Sequence, residues 1–156
     1  MLARWSVLRQ QRPDLAEAGR ALFYQFGVGL GFLGTVRPDG GPRLHPVCPL
    51  ITDDGLYAFV VPSPKRDDLH RDPRYALHSY PCPTNEDAFY MFGNAALVND
   101  ADALRSAFLA ERGWTDSPPP DWPGQQVFEL LIERCLCTRT NSHADFNPLH
   151  TVWRPT

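Results

Sequence analysis

Ser63, Lys65 and Arg66 bring a hydroxyl, an ammonium and a guanidinium into a stretch of four residues. The hydroxyl offers a hydrogen bond, the ammonium a compact mobile charge, and the guanidinium a planar fork. Together they are a good inventory for a terminal phosphate. Lys65 is also the one lysine among fifteen basic residues; the other fourteen are arginine. A solvated turn is the competing reading. Asp67, Asp68 and Asp72 nearly neutralise Lys65, Arg66, Arg71 and Arg74, and the segment by itself leaves both readings open.

A second candidate stretch is Arg43-Leu44-His45-Pro46-Val47-Cys48. In extended chain, Arg43, His45 and Val47 share one face and Leu44, Pro46 and Cys48 the other. Pro46 has no N–H for a ladder, which marks a strand edge or a ligand-facing irregularity. Taken alone, His45 reads as a half-buried strand histidine. Gly29, Gly31 and Gly34 spell G-x-G-x-x-G, with Asp53 and Asp54 following at about the spacing of a dinucleotide fingerprint. That fingerprint needs a strand before it and a helix after it, so that pyrophosphate meets the helix N-terminus. Here a helical pattern precedes it and Pro38-Asp39-Gly40-Gly41-Pro42 follows, so it reads as a glycine-rich entry to a strand. Cys135 and Cys137 fall on one side of a strand. With His143 and His150 as the nearest further donors, their spacing matches no common zinc motif, and small packed thiols are the reading.

The elements that must carry these residues come from a chain of 156 residues, 43% hydrophobic and 21% charged. That suits one domain over 1–156 with a core of its own. A formal charge of −3 argues against nonspecific binding to nucleic acid or an anionic membrane. No apolar run reaches the ~18 residues of a membrane helix, and no signal-peptide h-region follows Met1. Four cysteines are too few and too irregular for a disulfide framework, so a reduced, cytoplasmic setting is expected. Sixteen prolines favour short strands and rigid turns over long helices.

Periodicity predicts a helix over 13–27, then strands over 31–36, 42–51 and 56–61 joined by tight turns. A short helical pattern lies within 62–74. Strands follow at 75–80, 88–98 and 127–138, the second of these apolar on both faces and therefore central. A second amphipathic helix covers 101–112, a proline-rich loop 117–124, and the tail 141–156 adds an extended piece near 150–153. The fold class expected is mainly β with α, an α+β fold. Its architecture is a six-stranded antiparallel barrel with two or three flanking helices, because closure removes exposed edges.

Three blocks in order resemble the pyridoxamine 5′-phosphate oxidase-like, FMN-binding split β-barrel family. They are the hairpin from Gly34 to Val47, the stretch from Ser63 to Leu77, and Phe89 to Val98 with its Gly93-Asn94-Ala95. The resemblance covers a core of roughly 14–140. It implies a flavin-dependent oxidoreductase acting on a small molecule, a homodimer with FMN in a groove between subunits. Arg43 through Cys48 would line the flavin: Arg43 helping with the phosphate, the backbone around His45, Pro46 and Val47 facing the ring, Leu44 and Cys48 beside it. Val60 and Val61 would pass beneath the ring. Ser63, Lys65 and Arg66 would grip the ribityl phosphate, and Trp153 or Arg154 from the partner's tail would close the site. Relatives of this kind use deazaflavin in place of FMN, and others bind haem, for which His45, His78 and His150 are the candidate ligands. The tail lacks the Arg-Leu-x-x-Arg-type segment that holds pyridoxamine phosphate, so vitamin B6 synthesis is not implied. No side chain is assigned as catalytic acid or base, since the flavin carries the chemistry.

Overall fold

A computed structural model describes residues 1–120 and 122–156. Two helices open the chain, α1 (Trp5–Gln11) and α2 (Pro13–Phe23). Pro13 occupies the first turn of α2, where its missing N–H is harmless. Leu15, Ala18 and Leu22 lie on the buried face, and the helix ends at Phe23, short of Gly27. The sequence pattern carries no signal for α1, which is only 7 residues long and has no side-chain cap.

Eight strands follow: β1 (Gly31–Val36), β2 (Pro42–Val47), β3 (Pro49–Ile51), β4 (Leu56–Val60), β5 (Arg74–Ser79), β6 (Ala88–Leu97), β7 (Gln126–Arg139) and β8 (Leu149–Trp153). Helix α3 (Pro64–Arg71) separates β4 from β5, and α4 (Asp102–Glu111) separates β6 from β7. Within the loop read at 117–124, a 3-10 turn spans Trp122–Gly124, and Asp121 lies outside the described residues. No helix among the described residues is long and apolar enough to cross a membrane.

The sheet runs β2-β1-β5-β6-β7-β4-β3, antiparallel throughout, with β8 added on β7. Its two ends, β2 and β3, are separated by Cys48 alone, so the sheet has to curl back on itself. The strand expected over 42–51 is therefore one strand bent at Cys48 that serves both edges. The six expected strands account for the barrel, and β8 extends it. β6 is central as its two apolar faces required, flanked by β5 and β7.

β7 is the longest strand and pairs with β6 along its length. Its other edge takes β4 first, then a single bridge to Ala3 at Ile132, then β8. Two glycines permit close backbone approaches here. A Cβ on Gly93 would lie 2.0 Å from the Leu131 carbonyl oxygen, where the β6–β7 register slips in a bulge. A Cβ on Gly29 would lie 2.0 Å from the Pro49 carbonyl oxygen, so the G-x-G-x-x-G stretch serves the approach of the β1 entry to β3.

The barrel interior holds Leu33, Leu77, Met91, Leu130 and Ile132, all essentially inaccessible. Phe89 joins it to the opening helices, edge-to-face with Trp5 and Phe23 at 6.4 and 6.1 Å. Phe23 also touches the start of β1 at Gly31, whereas α3 is tied to the far end of β1 and contributes Leu69 to the core. α2 and α3 thus close opposite ends. Alternation along β4 sends Leu56, Ala58 and Val60 inward and Tyr57 and Phe59 outward. The outward pair joins Phe108 of α4 and Trp122 in a second apolar cluster.

Candidate functional site

α3 begins where β4 leaves the barrel. Pro64 takes the first turn and Ser63 the N-cap position. The Ser63 hydroxyl does not cap the helix; it donates to the Val61 carbonyl at 2.8 Å. Arg66 donates Nη1 to the Gly124 carbonyl at 2.9 Å, which pins α3 to the turn before β7. Lys65 and Arg66 are both half-buried, and among the described residues neither has a carboxylate within ion-pair distance.

The carboxylates that could have neutralised them are committed elsewhere. Asp68 is 1% exposed. Its Oδ2 accepts from Arg43 Nε at 2.6 Å and from the Thr35 hydroxyl at 2.8 Å, and its Oδ1 accepts from Arg71 Nη2 at 3.0 Å. Burial works against the charged form, but the three donors outweigh it and hold the carboxyl below its usual range. Arg71 also donates to the Val36 carbonyl. One buried carboxylate therefore joins β1, β2 and α3. Asp72 pairs with Arg74, whose hydrogen bonds hold that carboxyl down at about 2. Only Asp67, exposed on α3, is left uncommitted.

Asp68 and Thr35 join this hydrogen-bonded cluster, and the pattern of types and spacings misses their part in it. The Asp68–Arg71 spacing of i,i+3 was a visible hint. Nothing local pointed to Arg43, 25 positions away.

β2 carries the rest of the expected lining. It pairs only with β1, so Pro46 does sit on an edge strand. Leu44, His45 and Pro46 are exposed, Val47 turns into the core, and Cys48 lies half-buried at the bend. Val60 is fully buried at the end of β4 and Val61 is half-buried beyond it. The structure thus brings Arg43 to α3 through Asp68 and sets Leu44, His45 and Pro46 along an open edge leading away from it.

Trp153 is placed differently from expectation. It lies in the core of its own chain, and its Nε1 donates to Gln11 Oε1 at 3.0 Å. A side chain held this way does not reach out to a partner; its neighbour Arg154 is exposed. Cys135 and Cys137 face the core, and burial pushes the Cys135 thiol up to about 12. That suits a packed thiol rather than a thiolate ligand.

Two hollows complete the geometry. A cavity of about 710 Å³ lies between α1, α2 and the β3–β4 turn, with Arg9, Glu17, Arg20, Asp53 and Asp54 on its walls. None of the expected site residues lines it. A smaller hollow of about 300 Å³ opens on the outer face of the sheet, lined by Phe32, Gly34, Leu44, Ala76, His78 and Tyr90.

By sequence, no family model and no curated protein matches this chain. Solved structures do match by fold. A putative pyridoxamine 5′-phosphate oxidase from Listeria innocua aligns with a TM-score of 0.60 at 21% identity, over 76% of this chain and 93% of that one. The fold they share with this chain is a split barrel. An F420 reductase shares it with a TM-score of 0.56 at 21% identity, covering 70% of this chain and 89% of the other. A heme-binding protein from Mycobacterium smegmatis aligns with a TM-score of 0.60 at 18% identity, over 86% of this chain and 57% of that one. These matches establish the architecture.

Proposed function

We propose that this split barrel is a homodimeric FMN-binding oxidoreductase of a small-molecule substrate. The flavin phosphate would lie at the start of α3 and the ring along β2. One observation carries the reading: among the described residues, Lys65 and Arg66 have no carboxylate within ion-pair distance at the start of a helix, and Asp68 and Asp72 are consumed by arginines. Two half-buried cations without anions form a site that an anion completes. Asp68 also fixes Arg43 through Nε, so both Nη groups remain to meet the same phosphate. Ser63 would have to release the Val61 carbonyl to add its hydroxyl.

From that anchor the exposed stretch Leu44, His45 and Pro46, with Val47 and Cys48 beyond it, would line the isoalloxazine. Val60 and Val61 would lie beneath. A bound flavin would supply hydride or electron transfer; the chain's own part is to hold and orient it and to shield one face. Homodimerisation is supported by the uncovered outer face of β2, β1, β5 and β6. There Phe32, Tyr90 and Phe92 are only half-buried and Leu44 is 67% exposed. Across such a dimer Arg154, not Trp153, is the tail residue free to reach the other site. Four free cysteines fit a reducing, cytoplasmic setting.

The test is the visible spectrum of the purified protein, with thermal shifts against FMN, deazaflavin and haem. FMN should co-purify or raise the melting temperature most. Stabilisation by deazaflavin or haem alone would replace FMN with that ligand, and no response to any of them would end the reading. Lys65→Ala should then weaken FMN by about tenfold or more, the loss of a charge-assisted contact worth roughly 1.5–3 kcal/mol. Unchanged affinity would remove Lys65 from the site.

A further inference from the structure

Phe146, at 91%, is the most exposed large apolar side chain among the described residues. It sits in the loop between β7 and β8, and that loop is built rather than loose. Asp145 accepts the backbone N–H groups of Asn141 and Asn147, each at 2.8 Å. His143 Nε2 lies 3.1 Å from the Pro83 carbonyl, and Ala144 adopts a left-handed φ of 55°. The residue after the β7 end, Thr140, is fastened by Asp87 through both its N–H and its hydroxyl. A rigid loop holding an aromatic ring in water forgoes the burial of that ring, which points to a second body that covers it.

The same sheet offers a matching hollow. The 300 Å³ depression lined by Phe32, Leu44, His78 and Tyr90 exposes only apolar surface. An apolar cavity of about 150 Å³ already accepts a benzene ring. Register ties the hollow to β8: Phe32 faces His78, His78 faces Tyr90, Tyr90 faces Leu136, and Leu136 faces Val152, which is 41% exposed. One outer face therefore runs unbroken from the hollow to the strand that Phe146 leads into.

We propose that Phe146 of one subunit fills this hollow on a second copy, so that a two-fold dimer is closed by two reciprocal ring-in-hollow contacts. The proposal rests on the homodimer suggested above and names the residues that close it. Area favours it. The face from β2 to β8 spans five inter-strand gaps of about 4.8 Å, and its apolar stretch is roughly four residues long, a footprint on the order of 300 Å². A stable dimer buries about 800 Å² per partner. The flat sheet falls short, and a projecting aromatic that buries some 150–250 Å², together with the hollow that receives it, supplies much of the difference. A second copy is favoured over an unrelated partner because projection and hollow lie on one chain, and a two-fold axis satisfies both at once. Without that axis, a knob and a hollow at different places would build open chains.

Phe146→Ala should raise the dimer dissociation constant at least tenfold by sedimentation, while the melting temperature of diluted protein stays unchanged because the ring is exposed in the subunit. Mixing Phe146→Cys subunits with Ala76→Cys subunits under mild oxidation should give a covalent dimer that neither variant, nor the wild type, gives alone. A dimer with unaltered affinity and no mixed cross-link would overturn the ring-in-hollow contact and leave the homodimer standing. A monomer at micromolar concentration would remove both. A ladder of higher oligomers would overturn the two-fold closure. So would a cyclised monomer from the Phe146→Cys/Ala76→Cys double variant, which would place the ring in its own subunit's hollow.

Discussion

The two outer walls of this barrel are built alike and finished differently. On β4, Tyr57 and Phe59 point outward, and α4 and the turn at Trp122 lie over them. Phe108 packs on Phe59 at 4.3 Å between centroids and on Trp122 at 5.4 Å. On the other wall some outward residues are again aromatic: Phe32 of β1 stacks on Tyr80 at 4.5 Å, and on β6 Tyr90 lies 5.9 Å from Phe92. No helix among the described residues covers this second wall. Both walls carry apolar side chains, so composition does not explain the difference. The covered wall is completed by the chain itself, and the bare wall is the surface that the proposed dimer would use. The edge strand of the bare wall, β2, is also the strand along which the proposed cofactor lies.

If that contrast is right, truncation of the covered wall is the most damaging change. Phe108 is 4% exposed and packs against three other rings, Phe59, Trp114 and Trp122. Phe108→Ala should cost about 3–5 kcal/mol in urea unfolding, the range for a buried aromatic. A loss below about 1 kcal/mol would mean that α4 lies loosely, and the two walls would then differ in degree only.

The bare wall has no helix laid across it, so β2 depends on β1 and on Arg43, which ties it to α3 through Asp68. Asp68→Asn leaves Arg43 and Arg71 without their carboxylate. It should cost roughly 3 kcal/mol, as the removal of one member of a buried pair does. The pH dependence has a definite sign. Asp68 titrates lower in the folded protein than the ~3.9 of an unfolded aspartate, so its contribution is complete above that value and is lost as pH falls through the folded one. Wild-type stability should decline as acid is added below about pH 4, and the variant should decline less. Parallel pH profiles for the two proteins would show that Asp68 is not the coupling point. Weakened FMN binding in Asp68→Asn is expected as well, since Arg43 loses the contact that aims it.

Much of the architecture was legible because it is periodic. β1 has the limits that its short apolar run and the following turn predict, and β6 announces its central place by being apolar on both faces. What stayed hidden depends on contacts between distant segments. The bend at Cys48 interrupts a run that stays favourable to strand on both sides, and only closure of the sheet requires it. α1 rests on Trp5 and Leu8 entering the core, with no cap or glycine to mark it. In the candidate site, the residue types put an ammonium at Lys65 and a guanidinium at Arg66 beside the Ser63 hydroxyl. Charge counting nevertheless treated Asp68 as a neutraliser of Lys65, because proximity in sequence is no guide to a partner in β2. The resemblance implies that Trp153 or Arg154 closes a partner's site, whereas the Trp153 ring packs inward beside Gln11.

Leu44 separates the walls at the smallest scale. It is 67% exposed in the subunit and borders the hollow on the bare face. Leu44→Ser removes little that the isolated subunit buries, so unfolding of dilute protein without flavin should change by less than about 0.5 kcal/mol, as for an ordinary surface site. At high protein concentration the wild type should gain stability by mass action as subunits associate. The variant should gain less, since its half of each contact has lost apolar area. The slope of stability against concentration, not the stability itself, is therefore the informative quantity. A loss above about 1 kcal/mol that ignores concentration would place Leu44 inside the subunit's own packing, and the bare wall would need a covering element from the same chain.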